Sequence, residues 1–383
     1  VLLAMVGEIL WLANRGVEIF RMDAVPFLWK RLGTDCQNQP EAHAIMQVFH
    51  GLVRLAAPAT VFKAEAIVAP EELTGYLGAH ERYRPECELA YHNQLMVMLW
   101  SSLATKDAEL ARRALGRMAP IPAETSWVSY ARGHDDIGWA VSDTDATSVG
   151  LDGFWHRRFL NDFYSGQFPG SFARGALFQV NERTGDARVS GTAAALCGIE
   201  EALERGDPES LDWGIRRLVL VYSVVYGYGG LPLLYMGDEL ALRNDTAYRA
   251  DPQLAADNRW LHRPWMDWTV AARRHDPATL EGRVYAWVQR LGAARRDVPT
   301  LRGGAEGTTW DVWDSRVLAW QRWAPQGGHF IGLASFAEVP TAVPLGPLAG
   351  LRSLHPVLTG DGVEFRDGSW QLPPLGFLWL AER

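Results

Sequence analysis

Apolar and polar residues repeat with two different periods along this chain, and the switches between them mark its elements. Val1, Leu2, Met5, Ile9, Leu10 and Leu12 recur at helical spacing, and Asn14 to Gly16 forms a helix stop. The stretch 16–25, GVEIFRMDAV, changes to a period of two. Val17, Ile19, Arg21 and Asp23 take one face, and Glu18, Phe20, Met22 and Ala24 the other. After the polar LGTDCQNQP, a helix is predicted over 41–57, with Ile45, Phe49, Leu52 and Val53 on one face and Pro58 as its stop. A second strand over 60–68, TVFKAEAIV, turns Val61, Lys63, Glu65 and Ile67 inward, so it too carries a carboxylate near its C-terminal end. Strand, helix and strand within about fifty residues make a βαβ unit, which requires parallel strands.

The pattern recurs. A weak strand over 87–92, a long apolar helix over 95–115, a strand over 125–134, a helix over 211–226 and a strand over 230–236 follow in order. About five βα units result, each with polar residues just past its strand. The fold class this predicts is α/β, as a TIM-type (β/α)8 barrel or a doubly wound sheet. Between His134 and Leu211 lie roughly seventy residues, too many for a structureless connection, and their aromatics and arginines predict an ordered substrate loop over about 137–207. A second connection, Leu240 to Trp268, contains DNRWLHRP. From about Thr300 short alternating runs take over, with Asp367-Gly368 as a hairpin turn and GFLWLAE as a last strand. The division expected is a barrel portion over 1–298 and a small antiparallel β-sandwich over 299–383.

Composition narrows the function. The 383 residues are 48% hydrophobic and 21% charged, enough for one large core and a smaller second one. A net charge of -8 excludes nucleic acid and anionic membranes as natural partners, because phosphates are repelled. No run approaches the ~18 apolar residues of a membrane span. Cys36, Cys87 and Cys197 are spaced like reduced thiols, with neither a zinc pattern nor a disulfide framework. No metal-ligand cluster is evident, no cofactor is called for, and Asp143 and Asp145 read as a solvated loop. Val1 opens a stretch that reads like a protein interior, with no basic segment before it. The natural start is therefore expected upstream, and a cytoplasmic location is the working expectation.

Three strand ends present Asp23, Glu65 and Asp135, with Arg21 and His134 beside them. A lone Arg-x-Asp is as readily a structural ion pair. Three carboxylates in succession are harder to explain so, because the C-terminal ends of parallel barrel strands converge on one face. Two carboxylates about 5–5.5 Å apart are what retaining glycosyl transfer uses, one as nucleophile and one as proton donor. A third can stabilise positive charge at the anomeric carbon.

RMDAV, EAIV and HDD resemble conserved regions of the α-amylase superfamily, glycoside hydrolase family 13. HDDIGW, GSFARG, TGDARVSGTAAAL, GLPLLYMGDE and DNRWLHRP are similar, in order and spacing, to segments of its amylosucrase branch. The resemblance implies that the five units are strands four to eight of the barrel, with the first three strands and a helical domain outside this chain. The chain by itself is then expected to be nearly inactive. Residue by residue, it implies Asp23 as nucleophile, Glu65 as general acid/base and Asp135 as transition-state stabiliser. Arg21 and His134 would orient the nucleophile and sugar hydroxyls, and Asp136 would edge the acceptor site. Arg188 would serve the acceptor, and Arg259 would close the pocket with partners lying outside the chain. The implied partners are sucrose as donor and an α-1,4-glucan as acceptor. A sucrose or α-glucoside hydrolase is the alternative among enzymes, and a non-catalytic glucan-binding or interaction protein the alternative outside them.

Overall fold

The computed structural model describes residues 1–79, 84–324, 328–344, 346 and 354–382. In chain order the strands are β1 (Ile19–Met22), β2 (Val61–Ala64), β3 (Leu89–Tyr91) and β4 (Ser126–Tyr130), then β5 (Ile137–Gly138), β6 (Ala176–Phe178) and β7 (Arg188–Ser190), then β8 (Leu231–Leu233). The strands β1, β2, β3, β4 and β8 form one sheet in that order, and every pair in it is parallel. Residues of period two explain its faces. Phe62, Ala64 and Ala66 are buried with Met46, Phe49 and Val53 of the helix Pro40–Ala56, and Phe20 and Met22 pack against them. Arg21 and Glu65 project from the opposite side. Register sets them together, since Met22 pairs with Ala64 and the Glu65 N–H donates to the Met22 carbonyl at 3.0 Å.

β8 enters beside β4 through Gly230, where a Cβ would lie 2.2 Å from the Trp127 carbonyl oxygen, so only glycine fits. The helix Pro208–Gly227 before it starts where Asp207 accepts from the Glu209 and Ser210 N–H groups, with Pro208 at the first position.

Four expectations need correction. The apolar run 95–115 is two helices, Asn93–Thr105 and Glu109–Gly116. Between them Lys106 adopts φ 58° and Asp107 accepts from the Glu109 N–H, a local cap that periodicity does not reveal. In the first helix, Leu2–Ala13, Val6 and Ile9 are the buried residues, whereas Met5 and Leu12 of the anticipated stripe are exposed. The long connection after His134 is a packed structure rather than a loop. Strands β5, β7 and β6 form an antiparallel sheet in that order, and Leu160, Phe163, Tyr164 and Val189 join the main core. Asp145 is buried there, bonded to Ser142 and paired with Arg117 at 2.9 Å, so it is no solvated loop residue.

The last strands are β9 (Glu306–Trp310), β10 (Val317–Ala324), β11 (Gly328–Ser335), β12 (Thr341–Pro344), β13 (Leu354–Thr359), β14 (Glu364–Arg366), β15 (Ser369–Leu372) and β16 (Phe377–Glu382). They form a five-stranded sheet, β13-β16-β11-β10-β9, and a three-stranded one, β12-β15-β14. Val317, Ala319, Ile331 and Leu333 face Val343 and Leu372 of the small sheet. The alternate residues Leu318, Trp320, Phe330 and Trp379 enter the core of the helix Pro208–Gly227. Both faces of the large sheet are thus buried, so its strands read as almost unbroken apolar runs. Asp367 and Gly368, at φ 53° and 71°, make the hairpin turn between β14 and β15. No helix among the described residues is long and apolar enough to cross a membrane.

Candidate active site

Beyond β1 the chain turns through Ala24, a non-glycine residue at φ 47°. Such a conformation costs about 1–2 kcal/mol. The Glu65 carboxyl offsets it by accepting from the Ala24 N–H at 2.8 Å. Arg21 is the hub. Its guanidinium bonds the Asp23 carboxylate, meets Glu65 at 2.9 Å and lies 3.7 Å from Asp135. The three carboxylates that the sequence placed on separate strand ends therefore surround one arginine.

Glu65, Asp135, Asp136, His134, Arg188 and Arg259 all line a cavity of about 1010 Å³ on the C-terminal side of the parallel sheet. Asp23 lies at its rim instead. Its side chain is 73% exposed, and its carboxyl shares a hydrogen bond with that of Glu65. The two are held apart electrostatically. The hydrogen bond from Glu65 draws Asp23 below the usual aspartate value, helped by Arg21. Burial pushes Glu65 above the usual glutamate value, reinforced by Asp23. Burial also lowers His134.

Asp135 is held from several sides. His134 Nε2 lies at 3.1 Å, Arg259 at 3.1 Å and Arg263 at 3.5 Å from its oxygens. Arg259 finds its other partner within the chain: Asp257, two residues earlier, binds it at 2.9 Å and 2.8 Å. That bonding raises Arg259 and lowers Asp257. Asp136 is nearly buried and pairs at 3.1 Å with Arg188 of β7, which joins the inserted sheet to the strand end.

Residues without an assigned role in the sequence reading complete the support. Arg132 and Asp238, 2% and 1% exposed, form a buried pair at 2.7 Å. Tyr222 also donates to Asp238. Arg132 donates to the His262 carbonyl at 3.1 Å, and His262 Nε2 lies 3.0 Å from the His134 carbonyl. Arg263 Nε donates to that same carbonyl at 2.6 Å. The segment DNRWLHRP is therefore clamped onto the strand end that carries Asp135. Arg263 and Asp257 lie within that segment, and their spacing around Arg259 was the available signal. Arg132 gave none, since it reads as one more polar residue in a strand. Among the described residues no group of three or more His, Cys, Asp or Glu is arranged to hold a metal ion.

No protein-family model matches the chain. In sequence it is similar to the trehalose synthase of Thermus thermophilus, at 31% identity over 369 residues covering 90% of this chain and 33% of that protein. It is also similar to the glucosylglycerate phosphorylase of Escherichia coli K12, at 25% identity over 297 residues covering 77% of this chain and 49% of that protein. The chain thus spans less than half the length of either relative. Among solved structures, the α-amylase of H. orenii superposes with a TM-score of 0.58 at 10% identity, covering 100% of this chain and 64% of that one. The chain is homologous to trehalose synthases and glucosylglycerate phosphorylases, and its fold is that of the α-amylase-type barrel enzymes.

Proposed function

We propose that this chain carries the catalytic centre of a retaining α-glucosyltransferase of the α-amylase type, with sucrose as donor and an α-1,4-glucan as acceptor. The observation that carries the reading is the gathering of the Asp23, Glu65 and Asp135 carboxyls around the one Arg21 guanidinium, with Asp23 held low and Glu65 held high. Pairs pushed apart in this way divide into an ionised nucleophile and a protonated acid. Carboxyls bound to the same guanidinium leave no room between them for the intervening water of inversion, which needs ~6.5–9.5 Å, and that supports retention. Asp23 attacks the anomeric carbon of the glucosyl unit while the Glu65 proton passes to the departing fructose oxygen. Asp135, with its negative charge steadied by arginines, stabilises the cationic transition state. In the second half-reaction Glu65 takes the proton of the acceptor hydroxyl and the covalent bond to Asp23 breaks.

Two results test the chemistry and the acceptor separately. In a full-length version of the protein, Glu65→Gln should lose at least about a hundredfold on sucrose, the lower range for general acid–base catalysis. It should recover part of its glycosylation rate with α-glucosyl fluoride, whose leaving group needs no proton. Equal loss on both donors, measured by stopped assays of fructose and fluoride, would remove Glu65 from the acid role.

The acceptor is read from products. Incubation of a full-length version of the protein with sucrose and glycogen should release fructose and lengthen the glycogen through α-linkages. Arg188→Ala, which removes a guanidinium from the cavity wall, should move product from glucan toward glucose, with sucrose consumption less affected. Glucose and fructose alone from the unmodified protein would put the hydrolase in place of the transferase.

A further inference from the structure

Strand β3 lies between β2, beyond which Glu65 follows, and β4, beyond which Asp135 lies. Its pairing fixes what it presents there. Met22 pairs with Ala64 and Ala64 with Ala90, so the next residues along the three strands, Asp23, Glu65 and Tyr91, come to one level. Side chains alternate along a strand, and Tyr91 therefore shares the face of Glu65. It is half-buried and lines the same cavity. Its ring is held from two sides. The Lys63 ammonium, two residues before Glu65 on that face, lies 4.6 Å from the ring centroid, and the Tyr130 ring meets it edge-on at 5.3 Å and 67°. The two tyrosine hydroxyls differ. Tyr130 donates to Asn93 Oδ1 at 3.2 Å, whereas the Tyr91 hydroxyl has no hydrogen-bond partner among the described residues. It lies within electrostatic reach of the Arg21 guanidinium, which is itself engaged by three carboxylates. Tyr91 thus brings a fixed ring and an uncommitted hydroxyl to the wall between Glu65 and Asp135.

We infer that Tyr91 is a substrate-contacting residue of this site, its hydroxyl exchanging a hydrogen bond with one hydroxyl of the glucosyl unit held between Glu65 and Asp135. The inference rests on the glucosyl-transfer reading above and names a residue that selects the donor sugar. Its level on the sheet assigns it to the glucosyl unit rather than the acceptor, since it stands beside the carboxylates, whereas Arg188 comes from the inserted strand β7. The chemistry suits that place. A phenol both donates and accepts, as a sugar hydroxyl does, so either direction of the bond is open. Being neutral, it adds this bond without disturbing the balance of charge among Arg21 and the three carboxylates. Because Lys63 and Tyr130 already fix the ring, little side-chain freedom is lost when the bond forms. A sugar without the matching hydroxyl leaves the Tyr91 oxygen unpaired in a closed site, which is how hydrogen bonding discriminates between substrates.

The test is Tyr91→Phe in a full-length version of the protein, which keeps the ring and its contact with Lys63 and removes only the oxygen. The donor is α-glucosyl fluoride, whose small leaving group confines the comparison to the glucosyl unit. The variant's kcat/KM for fluoride release should fall about tenfold, the upper range for one neutral hydrogen bond. The same measurement is then made with the 2-, 3-, 4- and 6-deoxy glucosyl fluorides. With the analogue that lacks the partner hydroxyl, parent and variant should be equally slow. With the other three the variant should stay about tenfold behind, a pattern that a merely structural role would not produce. Equal kcat/KM for parent and variant on α-glucosyl fluoride overturns the inference. The same gap on all four deoxy donors also overturns it, by assigning the effect to packing. Fluoride release without release of fructose from sucrose would remove the sucrose reading and leave the Tyr91 contact to be judged on the deoxy series. A parent that releases no fluoride would remove the glucosyl-transfer reading, and the Tyr91 contact with it.

Discussion

Replacing Asp23 with Asn in a full-length version of the protein is expected to lower glucosyl transfer from sucrose by ~10,000-fold or more, the scale on which enzymes lose a covalent nucleophile. In barrier terms this is at least about 5 kcal/mol. Asn keeps the shape and a hydrogen bond to Arg21 but cannot form the glucosyl ester. The pH profile adds a second readout with a defined sign. Transfer needs Asp23 ionised and Glu65 protonated. Asp23 is drawn below the aspartate range by its hydrogen bond with Glu65, so the acid limb should lie at unusually low pH. Glu65 is raised by burial, so the basic limb should fall above the ordinary glutamate range. Residual activity in Asp23→Asn above one tenth of the parent would transfer the nucleophile role elsewhere. A basic limb at or below the ordinary glutamate value would show that burial does not hold the Glu65 proton.

The second large effect is on stability. Asp238→Asn should cost about 3–5 kcal/mol, because it leaves the Arg132 guanidinium buried without its counter-charge. The pair is closed on several sides. Tyr222 donates to Asp238, and its hydroxyl is kept protonated by burial and by that carboxylate. Arg132 also holds the His262 carbonyl, through which the segment bearing Arg259 and Arg263 is fixed against His134. Loss of transfer activity should therefore accompany the loss of stability. At temperatures where the variant remains folded, KM should rise more than kcat falls. Denaturant unfolding followed by tryptophan emission measures the first effect. A shift below 1 kcal/mol would mean that water or relaxation reaches Arg132 and that the pair contributes little.

The sequence by itself determined the parallel sheet and the three carboxylates. The two-residue period in GVEIFRMDAV and TVFKAEAIV puts Arg21 and Glu65 on one face and Phe20 and Phe62 on the other, and strand sterics enforce that alternation. It also determined the Asp367-Gly368 hairpin, whose positive φ values follow from the residue types. The tertiary structure decided the rest. A left-handed Lys106 split the helix after β3, because Asp107 captured a free N–H that no apolar spacing records. The inserted segment became packed structure because Leu160, Phe163 and Tyr164 found the barrel helices as a surface to cover. Arg21 met three carboxylates only once parallel pairing brought two strand ends into register and β4 delivered Asp135 beside them. Ion-pair energies depend on separations of a few ångströms between residues far apart in the chain, and residue spacing along a sequence carries no such distance. For that reason Arg132 and Asp238, over a hundred residues apart, stayed without assigned roles until the fold joined them.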